Sequence, residues 1–150
     1  MYRLLLAEDE NATREGILEG IDWKKTRIVD IRAARNGVAA MELLEDFTPD
    51  ILLTDIRMPR MNGIELATQI RKIFPDCSIL IISGYSEKEY LRSAIYLKAV
   101  DFVDKPLRLP ELTDQLIRAV SEQDAIRKQK KLLSAELAED SAQSLNPALD

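Results

Sequence analysis

The sequence predicts an α/β fold in which helices cover both faces of a parallel sheet. Five apolar runs of strand type alternate with segments of helical period along the first 120 residues. Two of the runs, 50–55 and 77–84, are almost continuously apolar, which is typical of central strands that are buried on both faces. A repeated strand-helix alternation favours right-handed crossovers and therefore parallel strands. We predict a doubly wound sheet of five strands.

Each element of this alternation is predicted from its own residues. The segment 27–37 alternates apolar and polar residues, as an edge strand with one solvent-exposed face does, and places Val29, Ile31 and Ala33 together on one face. Asn11 is a residue type that commonly caps a helix. In chain order we expect a strand over 2–9, a helix over 11–21, a strand over 27–37, a helix over 38–47, a strand over 50–55, a helix over 62–74, a strand over 77–84, a helix over 86–98, a strand over 101–104 and a helix that opens at 108.

Composition and charge exclude several kinds of chemistry. The 150-residue chain has 21 basic and 26 acidic residues, and its net charge of -5 gives no general reason to bind nucleic acid or an anionic membrane. It contains no histidine, which removes Ser-His and Cys-His nucleophile pairs and histidine metal sites. The single Cys77 is expected to be an inert core residue. No export signal or membrane span is recognisable, so we expect a cytoplasmic location.

Charged and hydroxyl side chains stand where the predicted strands end. They are Glu8 and Asp9 after the first strand, Asp55 at the end of the third, Ser83 at the end of the fourth, and Lys105 with Pro106 after the fifth. Because ligands of open α/β sheets bind beyond the carboxyl ends of the strands, we expect these residues to converge on one edge. Clustered carboxylates repel one another unless a cation lies among them, and oxygen ligands of this kind suit Mg²⁺.

A carboxylate in such a cluster can also act as a nucleophile and form an aspartyl-phosphate, and Asp55 is the candidate. Lys105 and Ser83 are residue types that hold a phosphoryl group, one by its charge and the other by a hydrogen bond. Each residue alone has an ordinary explanation, as a capping acid, a turn serine or a solvated lysine. Their joint occurrence at one edge favours a functional site.

With these residues in place, the chain resembles the receiver domains of bacterial two-component response regulators over about residues 1–120. The resemblance rests on Glu8-Asp9, the stretch DIRMPRMNG that begins at Asp55, Ser83, and Lys105-Pro106, with Phe102 at the aromatic switch position. The segments REGI, IDW, ISGY and AVDF are most similar to receivers joined to AraC-type helix-turn-helix domains. The resemblance implies a flavodoxin-like (βα)5 fold with strand order 2-1-3-4-5.

The resemblance also implies the metal site and the acceptor. Asp9 and Asp55 would bind Mg²⁺ directly, Glu8 would act through water, and the backbone carbonyl of Arg57 would complete the protein ligands. Asp55 would be the phosphoacceptor for a sensor histidine kinase, a phosphotransfer protein or a small phosphodonor. Such a chain would be a signalling protein and not an enzyme.

The resemblance further implies a switch. Lys105 would pair with the phosphoryl oxygens, Ser83 would move inward to bond one of them, and Phe102 would follow into the space that Ser83 leaves. This movement would remodel the face made by the fourth helix, the fifth strand and the fifth helix. The Lys105-Pro106 bond is expected to be cis, which would direct the ammonium over the strand ends.

Two departures from the family pattern have consequences. Lys98 stands at a helix end where glycine is usual, and a left-handed residue there would cost about 1 to 2 kcal/mol unless the turn is rebuilt. Arg57 and Tyr85, two positions beyond Asp55 and Ser83, would flank the path of a hydrolytic water and prolong the phosphorylated state.

Two rival functions use the same residues. A Mg²⁺-dependent phosphohydrolase of the haloacid-dehalogenase type also forms an aspartyl-phosphate, but it needs an acid two residues after the nucleophile, where this chain has Arg57. A pseudo-receiver that serves only as an interaction module has no chemical need for the acidic set. Both rivals are therefore less favoured than a receiver.

Residues 121–150 form an extension that is rich in helix formers but too short for a DNA-binding domain. We expect a helical linker or dimerisation segment with a disordered end. The favoured interpretation is a longer transcription regulator that contacts DNA only through an effector domain, and the alternative is a stand-alone phosphorelay or docking receiver. No membrane contact is expected.

Apolar or small residues recur at heptad spacing along the last helix, at Leu109, Leu112, Leu116, Ala119, Ile126, Leu133 and Leu137. Gln123 and Lys130 interrupt the stripe, and Glu122 and Arg127 would attract across a parallel dimer. We expect the helix to continue to at least Leu133. Two chains would associate weakly through it or through the switch face, more strongly after phosphorylation of Asp55.

Overall fold

The computed structural model describes the backbone of residues 1–145 and the side chains of residues 1–84 and 87–141. Its five parallel strands form one sheet in the order β2-β1-β3-β4-β5, which confirms the predicted fold. The strands are β1 Tyr2–Ala7, β2 Ile28–Ala34, β3 Ile51–Asp55, β4 Ser78–Ser83 and β5 Asp101–Asp104. The helices are α1 Asn11–Gly20, α2 Gly37–Leu43, α3 Gly63–Ile73, α4 Leu91–Tyr96 and α5 Leu109–Leu145, with 3-10 helices at Trp23–Lys25 and Tyr85–Tyr90.

Two apolar cores lie on opposite faces of the sheet. Helices α2, α3 and α4 contribute to the first core through residues such as Ala40, Ile70 and Ala94. Helices α1 and α5 contribute to the second through Ile17 and Leu116. Every residue of β3 and β4 is buried, as predicted for central strands. Because burial of a leucine or isoleucine contributes roughly 1.5 to 3 kcal/mol, these two strands anchor the sheet whose carboxyl edge carries the candidate site.

Strand β2 lies at the edge of the sheet as predicted, but the predicted apolar face is wrong. Val29 is 61% exposed and Ala33 is also exposed, whereas Ile28 and Ala34 are buried. The pairing of β2 with β1 shifts by one residue at Val29, because Tyr2 pairs with Ile28 while the next residue pairs with Asp30. Such a bulge breaks the alternation of side chains on which the prediction depended.

Local capping differs between two helices. The N-cap residue of α1 is Glu10, whereas Asn11 was predicted to cap this helix. Asn11 is instead the first helical residue, and its side chain accepts a hydrogen bond from Arg14. Helix α3 begins with a full capping box, since Asn62 accepts from the Glu65 N–H and the Glu65 carboxylate accepts from the Asn62 N–H. The start of α3, next to the candidate site, is therefore well fixed.

The segment predicted as a helix over 86–98 consists of two parts. Its first part, Tyr85–Tyr90, is a 3-10 helix, and only Leu91–Tyr96 is α-helical. The turn that follows α4 contains the left-handed Lys98, whose φ is 57°. The Lys98 N–H donates to Ile95 and the Ala99 N–H donates to Ala94, so the usual glycine-type ending is retained with lysine and the turn is not rebuilt.

Helix α5 continues past residue 120 to Leu145, which confirms the expected length. The part of α5 just beyond residue 120 contacts the amino end of the sheet through a group of residues that we call the base. The base comprises Tyr2, Arg27, Asp50, Asp76, Ser78, Glu122, Gln123, Asp124, Arg127 and Lys130. Glu122 and Arg127, assigned by the heptad pattern to pairing between chains, are engaged here within one chain.

Beyond the base, α5 carries exposed apolar side chains at Leu132, Leu133 and Leu137. The predicted disorder at the end of the extension concerns residues 146–150, which lie outside the described residues. Within the described part of the chain, no helix combines the length and the apolar character that crossing a membrane requires.

Candidate functional site

The structure brings the predicted strand-end residues together at the carboxyl edge of the sheet. Asp55 is the last residue of β3 and Ser83 is the last residue of β4, and both are buried. Glu8 and Asp9 directly follow β1, and Lys105 directly follows β5. We call Glu8, Asp9, Asp55, Ser83 and Lys105 the rim.

Asp55 is held by a cation and by its own loop. The Lys105 Nζ lies 3.0 Å from Oδ1 and 3.2 Å from Oδ2 of Asp55, and the Ile56 N–H donates to Oδ1 at 2.8 Å. Partial burial lowers the pKa of Lys105, but the hydrogen bond and charge of Asp55, with the charges of Glu87 and Glu8, raise it above its ordinary value overall. Lys105 is therefore a firmly charged partner for an anion at Asp55.

The three acidic residues of the rim form a cluster that can accept a cation. One carboxylate oxygen from each of Glu8, Asp9 and Asp55 lies within 4.8 Å of the others. Glu8 is only 1% exposed, and its Oε2 has no hydrogen-bond partner among the described residues. Burial, followed by the charge and hydrogen bond of Asp55, raises the pKa of Glu8 to about 8. A buried acceptor without a partner, among like charges, fits a hard divalent ion such as Mg²⁺.

Backbone packing beneath Asp55 depends on Gly63, which the sequence reasoning did not single out. The Gly63 N–H donates to the Ile56 carbonyl at 2.7 Å, and a Cβ at Gly63 would overlap the Asp55 carbonyl oxygen. Glycine is therefore required for the close approach of α3 to the end of β3. Its position at the start of a predicted helix, after a capping residue, was the available signal.

Glu87 is a second residue that the sequence reasoning missed. Its side chain is 4% exposed, Oε2 accepts from the Gly84 N–H at 2.9 Å, and Oε1 lies 3.5 Å from the Arg57 Nε. A glutamate three residues after the start of a turn is a known capping pattern, and this spacing was the signal that could have identified it.

The remaining predicted residues are placed as follows. Phe102 lies in β5, is half-buried and packs against the first core. The Arg57 side chain is 63% exposed beside Glu87, and the side chain of Tyr85 lies outside the part of the chain that the structure describes. The Lys105-Pro106 bond is cis, as predicted. Cys77 is buried, and burial raises the pKa of its thiol to about 12, as expected of an inert core cysteine.

A cleft of about 410 Å³ opens next to the rim, between α1 and the loop after β5. It is lined by Glu10, Thr13, Gly16, Ile17, Lys105, Pro106, Leu107 and Leu109. Lys105, the residue that contacts Asp55, is one of the lining residues, so a molecule bound beside it would be adjacent to the acidic cluster.

Comparisons with known proteins agree with this geometry. Residues 4–117 match the family described as the response regulator receiver domain. The transcriptional regulatory protein HptR of Staphylococcus aureus strain NCTC 8325 is 33% identical over 128 residues, which are 83% of this chain and 50% of HptR. The chain thus spans about half the length of the curated relatives it matches.

Two solved structures are also similar. One is a two component transcriptional regulator AraC from Clostridium phytofermentans ISDg, with 40% identity and a TM-score of 0.77 over 86% of this chain and 99% of that one. The other is the REC domain of AraT, a response regulator from Geobacillus stearothermophilus, with 32% identity and a TM-score of 0.76 over 85% of this chain and 98% of that one.

Proposed function

Because this chain belongs to the family of response regulator receiver domains, we propose that it accepts a phosphoryl group on Asp55 from the phosphohistidine of a sensor kinase or phosphotransfer protein. The observation that carries this proposal is the buried Asp55 carboxylate, which lies 3.0 Å from the Lys105 ammonium inside an acidic cluster. In the transfer, an Asp55 oxygen forms a bond to phosphorus and the phosphorus–nitrogen bond breaks. The imidazole leaves with the electron pair and takes up a proton.

Glu8, Asp9 and Asp55 would hold Mg²⁺, with the backbone carbonyl of Arg57 as a further ligand. The unpartnered Oε2 of Glu8 and the mutual proximity of the three carboxylates support this assignment. When bound, the ion would neutralise charge on the transferring phosphoryl group. Lys105 would neutralise the remaining charge, since its ammonium already contacts both oxygens of Asp55.

Ser83 and Phe102 would convert the new charge into a change of surface. A phosphoryl group adds roughly 1.5 to 2 negative charges at one point. Ser83 ends the strand next to that of Asp55 and would supply a hydroxyl donor for the phosphoryl group, while Phe102 is half-buried in the strand beyond. Movement of both side chains toward Asp55 would alter the face made by α4, β5 and α5.

The phosphodonor would dock in the cleft between α1 and the loop after β5. This cleft is largely apolar and includes Lys105 in its lining. Gly16 lies on the exposed face of α1 with open space around it, so a bulky side chain there would obstruct a protein donor but not a small one.

We further propose that residues 1–120 are the receiver and that 121–150 join it to an effector domain that controls transcription. The match to only half of HptR, whose name describes a transcriptional regulatory protein, supports this division. The exposed Leu132, Leu133 and Leu137 would let two copies associate weakly along α5, more strongly once Asp55 is phosphorylated. Sedimentation with and without a phosphoryl mimic tests this, and a monomer in both states would leave the extension as a linker.

The direct experiment is phosphoryl labelling from acetyl phosphate in the presence of Mg²⁺. The wild-type chain should gain one phosphoryl group, and Asp55→Asn or chelation of the metal should abolish the gain. Asp104→Asn is the matched control, because it removes an exposed carboxylate at the same edge of the sheet. Labelling that survives Asp55→Asn would refute the acceptor, and many turnovers per chain would favour the phosphohydrolase instead.

A further inference from the structure

A single buried carboxylate links the two loops that flank the rim. Arg57 lies two residues after Asp55, and Gly84 directly follows Ser83. Glu87 binds both loops at once, since one of its oxygens accepts from the Gly84 N–H at 2.9 Å and the other lies 3.5 Å from the Arg57 Nε. The acceptor loop and the loop of the proposed switch hydroxyl are thereby joined through Glu87.

The charge of Glu87 acts on the rim itself. It is one of the negative charges that raise the pKa of Lys105, the ammonium in contact with Asp55. Arg57 forms an ion pair with this buried carboxylate at 3.5 Å, yet its own side chain is 63% exposed and thus has room to change partner. A phosphoryl dianion on Asp55 would compete with Glu87 for the guanidinium, because arginine binds phosphoryl oxygens strongly.

The segment that contains Glu87 has an unusual backbone structure. Tyr85–Tyr90 is a six-residue 3-10 helix, whereas runs longer than about four residues are uncommon because their hydrogen-bond geometry is poor. The Gly84 N–H is held at its start by the Glu87 carboxylate alone among the contacts of the described residues. Loss of the cation beside Glu87 would therefore weaken the segment at its first turn.

We propose that Glu87 and Arg57 form a clasp that holds the unphosphorylated arrangement, and that phosphorylation of Asp55 opens it by transferring Arg57 from Glu87 to the phosphoryl oxygens. The inference rests on the proposed phosphorylation of Asp55. Glu87, left buried beside a dianion without its cation, moves outward, and the segment 84–90 at the start of α4 moves with it. Glu87 is in this account a positioning residue.

The test is a titration with beryllofluoride and Mg²⁺, as the phosphoryl mimic, followed by the backbone amide signals in NMR. Glu87→Gln retains an oxygen that can accept from Gly84 but removes the charge that holds Arg57. We expect it to bind the mimic about fivefold more tightly, the lower end of couplings between switch sites. Arg57→Gln removes the phosphoryl partner and should bind several-fold more weakly, with Arg57→Lys restoring much of the loss. Glu89→Gln, an exposed carboxylate of the same segment, is the matched control and should bind as the wild type does.

Opposite signs for the two variants distinguish the clasp from a merely structural contact, because loss of either partner of such a contact would shift the affinity in the same direction. The Gly84 amide signal should also move on binding of the mimic in the wild type. If Glu87→Gln and Arg57→Gln shifted the affinity for the mimic in the same direction while the wild type bound normally, the clasp would be overturned but the proposed function would not. Failure of the wild type to bind the mimic at all would overturn the proposed function and the clasp together.

Discussion

The rim, at the carboxyl edge of the sheet, and the base, at its amino end, differ in how their charged side chains are paired. At the rim, three carboxylates lie close together beside Lys105, and a buried oxygen of Glu8 has no hydrogen-bond partner in the part of the chain that the structure describes. At the base, hydrogen bonds from Arg27 and then Tyr2 hold the pKa of Asp124 below its usual range. Further pairs join Lys130 to Asp76 and Arg127 to Asp50 and the Tyr2 ring.

The rim is a candidate functional site, whereas the base is a structural support. The base pairs its charges within the chain and thereby fixes the direction in which α5 leaves the sheet. The rim retains repulsion and an unmet hydrogen bond, which lower the stability of the metal-free chain. Removal of a carboxylate charge from the rim should accordingly stabilise the metal-free chain, whereas removal of a polar group from the base should destabilise it.

The largest expected effect is the pH dependence that Glu8 imposes on the metal-free chain. Its pKa rises from 4.5 to about 8 on folding, so between these values the folded chain binds a proton that the unfolded chain has released. Stability contributed by this group is therefore lost as pH rises, by up to about 4 kcal/mol from pH 5 to pH 8. Glu8→Gln should lack this loss in urea unfolding without Mg²⁺, whereas Glu10→Gln, an exposed carboxyl nearby, should retain it. Parallel pH profiles for the wild type and Glu8→Gln would contradict the assignment.

The next effect concerns the backbone that supports Asp55. Gly63→Ala should lower the free energy of unfolding by about 3 kcal/mol, because the new methyl group must displace the end of β3. The same change at Gly16, where a Cβ meets open space within α1, should instead add about 0.5 to 1 kcal/mol. Chemical denaturation of both variants makes the comparison. Equal stabilities would show that α3 and β3 separate easily.

At the base, the informative variant is Gln123→Leu. The Gln123 Nε2 donates to the Asp76 carbonyl at 2.7 Å and to the Ser78 hydroxyl at 2.9 Å. Leaving these acceptors without a donor should cost about 2 kcal/mol, although the side chain becomes more apolar. Gln129→Leu on the exposed side of α5 is the control and should change the unfolding free energy by less than about 0.5 kcal/mol. A stabilised Gln123→Leu variant would remove the contrast between rim and base.

The smallest expected effect lies at the end of α4. Lys98 has a φ of 57°, which glycine adopts without steric cost. Lys98→Gly should therefore raise the free energy of unfolding by about 0.5 to 1 kcal/mol, less than the full left-handed cost because glycine gains freedom in the unfolded chain. Lys72→Gly, within α3, should instead lower the free energy of unfolding. Thermal unfolding of both variants is a sufficient measurement.

The positions of the rim residues could be predicted from the sequence because strand ends in a parallel sheet converge regardless of side-chain detail. Asp55 and Ser83 were found in this way. Glu87 could not be predicted as a partner of Arg57, since their contact depends on the packing of two loops that are thirty residues apart in the chain. The prediction of the apolar face of β2 was wrong because the pattern of apolar residues gives no signal for the bulge at Val29.

The contacts of α5 could also not be predicted from the sequence. A heptad pattern records which side of a helix is apolar, not whether that side meets its own sheet or a second chain. Gln123 interrupts the apolar stripe, yet it is buried within the chain against Ser78. Charged and polar residues of the base were therefore assigned to a dimer, although the structure engages them with Met1, Tyr2 and the start of β4.

The effect of Mg²⁺ on the free energy of unfolding at neutral pH is the most direct test of a cation site at the rim. If the rim lacks only a cation, Mg²⁺ at ten times its dissociation constant should stabilise the wild-type chain by about 1.4 kcal/mol. Asp55→Asn should lose most of this stabilisation, while Gln123→Leu, altered only at the base, should retain it. Absence of stabilisation in the wild type, or an equal gain in Asp55→Asn, would contradict a metal-binding phosphoacceptor site at the rim.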